Sequence, residues 1–128
     1  MYDLPGYGLP IRGNLPLNLL QAAKTGEALH FSRRDHRGVG YVREVIANLL
    51  PAMALPGGVY NFGSGNDKDM VDTALYFAHL LQVDVRIEEA DFVRNLVMDG
   101  QKLQEYGIVF RSTQGAFRQC LADHGMDI

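Results

Sequence analysis

The chain holds one cysteine, Cys120, so it closes no internal disulfide, and nothing in it points to an oxidising compartment. No charged N-terminal segment precedes an apolar run, so no signal peptide is read. No apolar run approaches the roughly 20 residues of a membrane span. A cytoplasmic protein with no membrane partner is the expectation. Charge of one sign is scarce too: 12 basic against 15 acidic residues leave a formal net charge of −3. Nucleic-acid binders carry a basic stripe, and the densest basic run here is Arg33, Arg34 and Arg37. That run suits an anion pocket for a small ligand better than a polyanion track, and no nucleic-acid partner is expected. His30, His36, His79 and His124 lack metal-ligand spacing and no second cysteine joins them, which argues against a metal site. No Ser/His/Asp set is recognisable by spacing, and no carboxylate stands out as an acid–base catalyst.

What remains is an ordinary globular composition, with 47% hydrophobic and 21% charged residues over 128 positions. That length suits one domain and buries roughly two-thirds of its unfolded surface. Pro5, Gly6, Gly8 and Pro10 mark the start as loop. Asn14 before Leu15-Pro16, followed by Leu17, Leu19, Leu20, Ala23 and then Gly26, predicts a helix over 15–24. Residues 29–32 form a weak strand candidate, and Arg33 to Gly38 reads as a charged turn. Val42, Val45, Ile46, Leu49 and Leu50 recur at helical spacing, with Pro51 as the end or kink. Val59 to Phe62 reads as a strand. A helix over 68–82 follows, capped by Asn66 or Asp67. Val83, Val85 and Ile87 alternate with polar residues as in a half-buried strand, and Leu96 to Met98 suggests another short one. Asp99 opens a short helix that stops at Gly107, and Ser112 caps a last helix ending at Gly125. The expected fold is a small mixed α/β domain with about five helices and several short strands.

Three clusters invite a functional reading. Val59–Phe62 running into Gly63-Ser64-Gly65 looks like a dinucleotide-binding turn. The position of the third glycine is Lys68, however, and no βαβ unit with an acidic strand end follows, so a capped turn is the expectation and no cofactor site is placed here. Arg37 with Gly38, Val39, Gly40 and Tyr41 joins a guanidinium fork to backbone that leaves room for a ligand. By composition alone, the plainer reading is a solvated turn with a surface arginine. Arg94-Asn95 is a polar pair of the same kind.

Taken in order, these segments resemble a known family. Tyr60-Asn61-Phe62-Gly63-Ser64-Gly65-Asn66 resembles the Y-N-x-G-S-G-N stretch of extended short-chain dehydrogenases/reductases that act on nucleotide sugars. Arg37 to Val42 resembles their R-x-x-x-Y-V segment, and Tyr7-Gly8 followed by Asn14-Leu15 resembles the Y-G…N-F start of their substrate domain. Arg94-Asn95-Leu96-Val97-Met98-Asp99, then Lys102-Leu103 and Tyr106-Gly107-Ile108, resembles the ending of the dTDP-4-dehydrorhamnose reductase group. The departures are Glu44 for an aspartate, Gly38-Val39-Gly40 for Ser-Pro-Thr, and Phe92 where reductases often carry the first arginine of an Arg-Pro pair.

The resemblance implies the C-terminal, substrate-binding part of a Rossmann-type enzyme of deoxysugar biosynthesis. Its partner would be a nucleotide sugar, with Asn14, Arg37, Tyr41, Arg94 and Asn95 as substrate-binding residues. The NAD(P)H of the parent enzyme would sit in a Rossmann domain outside this chain. No Tyr-x-x-x-Lys pair occurs in the sequence, so the resemblance also implies that the chain alone transfers no hydride. An epimerase or dehydratase of the same superfamily, a non-catalytic regulatory module on the same fold, and a homodimer all stay open.

Overall fold

The computed structural model describes Tyr2 and residues 14–125. The proline- and glycine-rich start, Tyr7-Gly8 included, lies outside the described residues. Helix α1, Leu15–Thr25, begins where Asn14 accepts a hydrogen bond from the Leu17 amide at 3.0 Å. It ends at Gly26, whose φ of 77° only glycine adopts cheaply. Strands β1, Ala28–Phe31, and β2, Asp35–Arg37, follow, then helices α2, Val42–Ala52, and α3, Met70–Leu81. Strands β3, Arg86–Glu89, and β4, Arg94–Leu96, lead to the short helix α4, Gln101–Gln104, and to α5, Thr113–Asp123. This is the small mixed α/β fold, with five helices among the described residues, that the sequence predicts.

The strands pair in parallel, β1 with β3 and β2 with β4. The pairs are two separate two-stranded sheets, joined end to end along a bent strip by hydrogen bonds between their connecting residues. Between them the Ala90 amide donates to Phe31 O at 2.8 Å, the Arg94 amide to Arg34 O at 3.0 Å, and Ser32 Oγ to Phe92 O at 2.6 Å. The bend at Arg33 and Arg34 turns the second half so that Asp35 points inward and is fully buried.

Four strand expectations are corrected. Residues 59–62 form no strand: Val59 is 86% exposed, and its carbonyl accepts from the Lys102 ammonium at 2.7 Å rather than joining a ladder. Residues 35–37, read as part of a turn, are β2, because β4 supplies a ladder from far along the chain. The strand read at Leu96–Met98 is Arg94–Leu96, and the one read over 83–87 begins at Arg86. The cap of α3 moves as well. Asp69, not Asn66 or Asp67, accepts from the Asp72 amide at 2.8 Å.

The core lies between α1, α3 and α5. Leu19, Ala74, Phe77, Ala78, Ala116, Phe117, Cys120 and Leu121 are buried there. The rings of Phe77 and Phe117 stack at 3.9 Å, and Tyr2 meets both edge-on at 6.0 and 5.7 Å. Tyr2 also stacks on Tyr41, and its backbone bridges that residue's flanks, with Tyr2 N donating to Gly40 O and Val42 N to Tyr2 O, both at 2.9 Å.

Candidate functional site

The β2–β4 ladder sets Asp35 opposite Arg94, His36 opposite Asn95 and Arg37 opposite Leu96. Arg94 closes a two-pronged contact on the buried Asp35 carboxylate, Nε to Oδ1 at 2.8 Å and Nη2 to Oδ2 at 2.7 Å. Arg37 Nε lies 3.6 Å from Asp35 Oδ2, an ion pair outside hydrogen-bond range. The Arg94 hydrogen bonds hold the Asp35 carboxyl below its ordinary pKa, against the opposing effect of burial, and Arg37 adds to the lowering. The same hydrogen bonds raise the Arg94 guanidinium further above its usual value. Two guanidinium groups over one carboxylate leave a net charge of +1. Both arginine side chains remain more than a third exposed, so their outer N–H groups reach solvent.

A second hub sits behind Arg37. The Asn66 amide donates to Arg37 O at 3.0 Å and to Thr73 Oγ1 at 2.8 Å, and its Oδ1 accepts from the Lys68 amide and from Gln114 Nε2. Thr113 Oγ1 accepts from the Val39 amide at 3.0 Å and donates to Gly65 O at 2.9 Å. These bonds tie the end of β2, the Gly63–Asn66 loop and the start of α5 into one block. Gly38 makes the block possible: a Cβ there would lie 1.8 Å from the Ser64 carbonyl oxygen.

No protein-family model matches the chain, and no curated protein matches it in sequence. Among solved structures, dTDP-4-dehydrorhamnose reductase from Bacillus anthracis str. Ames, in complex with NADP, aligns with a TM-score of 0.71 at 13% identity over 88% of this chain and 44% of that one. The Bordetella bronchiseptica enzyme WbmH, in complex with NAD+, aligns with a TM-score of 0.60 at 17% identity over 90% of this chain and 42% of that one. The chain shares its fold with part of both enzymes. It spans less than half the length of each, and at these identities the likeness is one of fold.

The residues that the sequence singled out do not all meet. Arg37, Arg94 and Asn95 share the β2–β4 ribbon, and Asn95 is exposed, its Oδ1 accepting from the Val97 amide at 3.4 Å. Tyr41 sits in the core at 2% exposure, and its hydroxyl donates to Asp123 Oδ2 at 2.8 Å. Burial and that bond push the Tyr41 pKa well up, so the phenol stays neutral. Asn14 is the cap of α1. The Gly63-Ser64-Gly65 turn does not fit a dinucleotide. No strand leads into it, the Asp69 carboxylate occupies the N-terminus of α3, and Ser64 O and Gly65 O face Gly38 and Thr113.

A cleft of about 630 Å³ opens beside that loop, floored by Met98, Leu103, Ile108 and Phe110 and rimmed by Lys68 and Gln114. None of the five sequence-predicted residues lines it. Asp35 and Thr113 are residues that sequence reasoning misses, and Asn66, expected as a helix cap, instead holds the loop block together. An acid set among Arg33, Arg34, His36 and Arg37 was a signal for the first. No comparable signal marked Thr113. Among the described residues no group of histidine, cysteine and carboxylate side chains could hold a metal ion, and no helix is long and apolar enough to cross a membrane.

Proposed function

We propose that the chain is the sugar-nucleotide-binding domain of a cytoplasmic, NAD(P)-dependent oxidoreductase similar to dTDP-4-dehydrorhamnose reductase, acting in deoxysugar biosynthesis. The observation that carries this reading is the Arg37–Asp35–Arg94 cluster on the ribbon of a fold shared with such a reductase. A buried carboxylate fixes Arg94 through two of its five donors, while Arg37 keeps its hydrogen-bonding capacity beside it. A sugar-nucleotide diphosphate matches this charge and this fork geometry, and the Asn95 amide stands one step along the same strand.

In this reading the hydride comes from NAD(P)H held by the complementary Rossmann half, which also supplies the catalytic Tyr-x-x-x-Lys pair. The residues of this chain bind and orient. Gripping the unreactive diphosphate places the sugar against the cofactor and supplies binding energy far from the reacting carbon. A calorimetric titration of the chain with dTDP-glucose, with thymidine as the control, tests the proposal. The diphosphate sugar is expected to bind at least about tenfold more tightly than thymidine, since each charge-assisted phosphate contact is worth roughly 1.5–3 kcal/mol. Equal affinities, or no heat from dTDP-glucose with a chain shown folded by circular dichroism, would overturn it.

A further inference from the structure

The arginine cluster has an aromatic neighbour. The Arg94 guanidinium lies over the Phe92 ring, 5.4 Å from its centroid, a cation–π contact. Phe92 is nonetheless 40% exposed. Its backbone fixes its place. The buried Ser32 hydroxyl donates to Phe92 O at 2.6 Å and accepts from the Arg34 amide at 3.0 Å, and the Arg94 amide closes on Arg34 O at 3.0 Å. The carboxylate next door, Asp91, is held by Arg34 at 3.2 Å. An aromatic ring is thus pinned at the surface, with a cation against it and much of it left to solvent.

What stands beside the ring limits what can cover it. Asp35 takes two of the five Arg94 donors, and Arg37 Nε has no hydrogen bond. An apolar surface laid over Phe92 would dry both guanidinium groups and leave their remaining N–H groups unsatisfied. The occupant must therefore bring a flat face for the ring and anionic oxygens for the arginines within one molecule. A nucleoside diphosphate does so: every base has a π-face, and its phosphates suit the guanidinium fork. The chain also sets an order. Arg94 follows Phe92 by two residues, and Arg37 stands opposite Leu96, two residues further on. At about 3.3 Å per residue, Arg94 and Arg37 lie in succession along the ladder.

We propose that Phe92 is the stacking platform for the base of a nucleoside diphosphate, with the ligand running from its base at Phe92, past Arg94, to its terminal phosphate at Arg37. This rests on the sugar-nucleotide reading and adds to it the direction of the ligand and the residue that receives the base. Stacking reads no base edge, so the platform supplies affinity rather than a choice among bases. The sugar then lies beyond Arg37.

The chain contains no tryptophan, so Phe92→Trp installs a single reporter. Its fluorescence should be quenched by dTDP and unmoved by inorganic pyrophosphate. In calorimetry, Phe92→Leu keeps an apolar cover on Arg94 but removes the π-face. It should weaken dTDP binding by about fivefold to a hundredfold, the range of one base–aromatic stack, and leave pyrophosphate binding as it was. Phe92→Tyr should keep the dTDP affinity, and Arg37→Ala should weaken both ligands. Phe92 already lies partly in solvent, so these variants should fold, as circular dichroism will report. If Phe92→Leu binds dTDP as tightly as the unaltered chain, or if saturating dTDP leaves the Phe92→Trp signal unchanged, the platform is overturned and the diphosphate reading survives. A folded chain that binds neither dTDP nor pyrophosphate overturns both.

Discussion

Arg37 and Asp35 sit side by side and act differently. Arg37 Nε is buried with no hydrogen bond, 3.6 Å from Asp35. If the cluster grips a diphosphate, Arg37→Ala should weaken dTDP-glucose binding by about tenfold to a hundredfold in calorimetry. Arg37→Lys should recover only part of this, because an ammonium lacks the planar fork. Unchanged affinity in the alanine variant would reduce Arg37 to a surface residue. Asp35 is a stability residue first. Its carboxyl is held below the ordinary range, chiefly by the Arg94 hydrogen bonds. A carboxyl depressed in the folded state contributes stability in full above its unfolded pKa of about 4, and that contribution is lost as pH falls through the folded value. Urea midpoints measured from neutral pH downward should fall in that acid window. Asp35→Asn should lower the neutral plateau and flatten the acid limb. An unchanged limb would mean that other carboxylates control it.

At the scale of elements, the helices were legible and the strands largely were not. Apolar spacing and nearby stop signals predict helices over 15–24 and 68–82, and the structure has Leu15–Thr25 and Met70–Leu81. Gly26 and Gly107, the stops that the sequence predicts, hold φ of 77° and 78°. Strands depend on a partner that local pattern does not reveal. Val59–Phe62 has strand-like composition and no ladder, while Asp35–Arg37 has turn-like composition and a ladder to Arg94–Leu96. In the sequence, Gly38 suggests room for a ligand. The structure gives it a different occupant, the Ser64 carbonyl oxygen 1.8 Å from where a Cβ would be. Gly38→Ala should therefore pry β2 from the loop block and cost about 3 kcal/mol or more, at the upper end of overpacking effects. Gly57→Ala is the control, since a Cβ there meets nothing within 4 Å and it should shift the midpoint little. Equal urea midpoints for the two variants would show that the loop yields without cost.

At the scale of the whole molecule, the order of motifs along the chain carried more than any one of them. The resemblance drawn from Arg37–Val42, Tyr60–Asn66 and Arg94–Asp99 agrees with a fold that also occurs in a reductase solved with NADP and an enzyme solved with NAD+. The roles within the motifs were less legible, because a sequence does not display which side chains a fold turns inward. Tyr41 went to the core and Asn66 to a framework of hydrogen bonds. That division bears on the cofactor. The Gly63–Gly65 turn is the glycine-rich loop nearest to a helix start, and a dinucleotide pyrophosphate would need free amides there and no competing anion. The amide of Asp72 is already taken by the Asp69 carboxylate, and Gly65 O is engaged by both the amide and the hydroxyl of Thr113. A pyrophosphate would displace those bonds and face the negative charge of Asp69. Titrating the chain with NADPH, followed by cofactor fluorescence, should therefore give no saturation in the micromolar range. Lys68→Gly, which restores the third glycine of the fingerprint, should not create binding, because the strand before the turn and the uncharged helix start would still be missing. Saturable micromolar binding by the unaltered chain, abolished by a bulky residue at Gly63, would make this turn the cofactor site and move the sugar-nucleotide reading elsewhere.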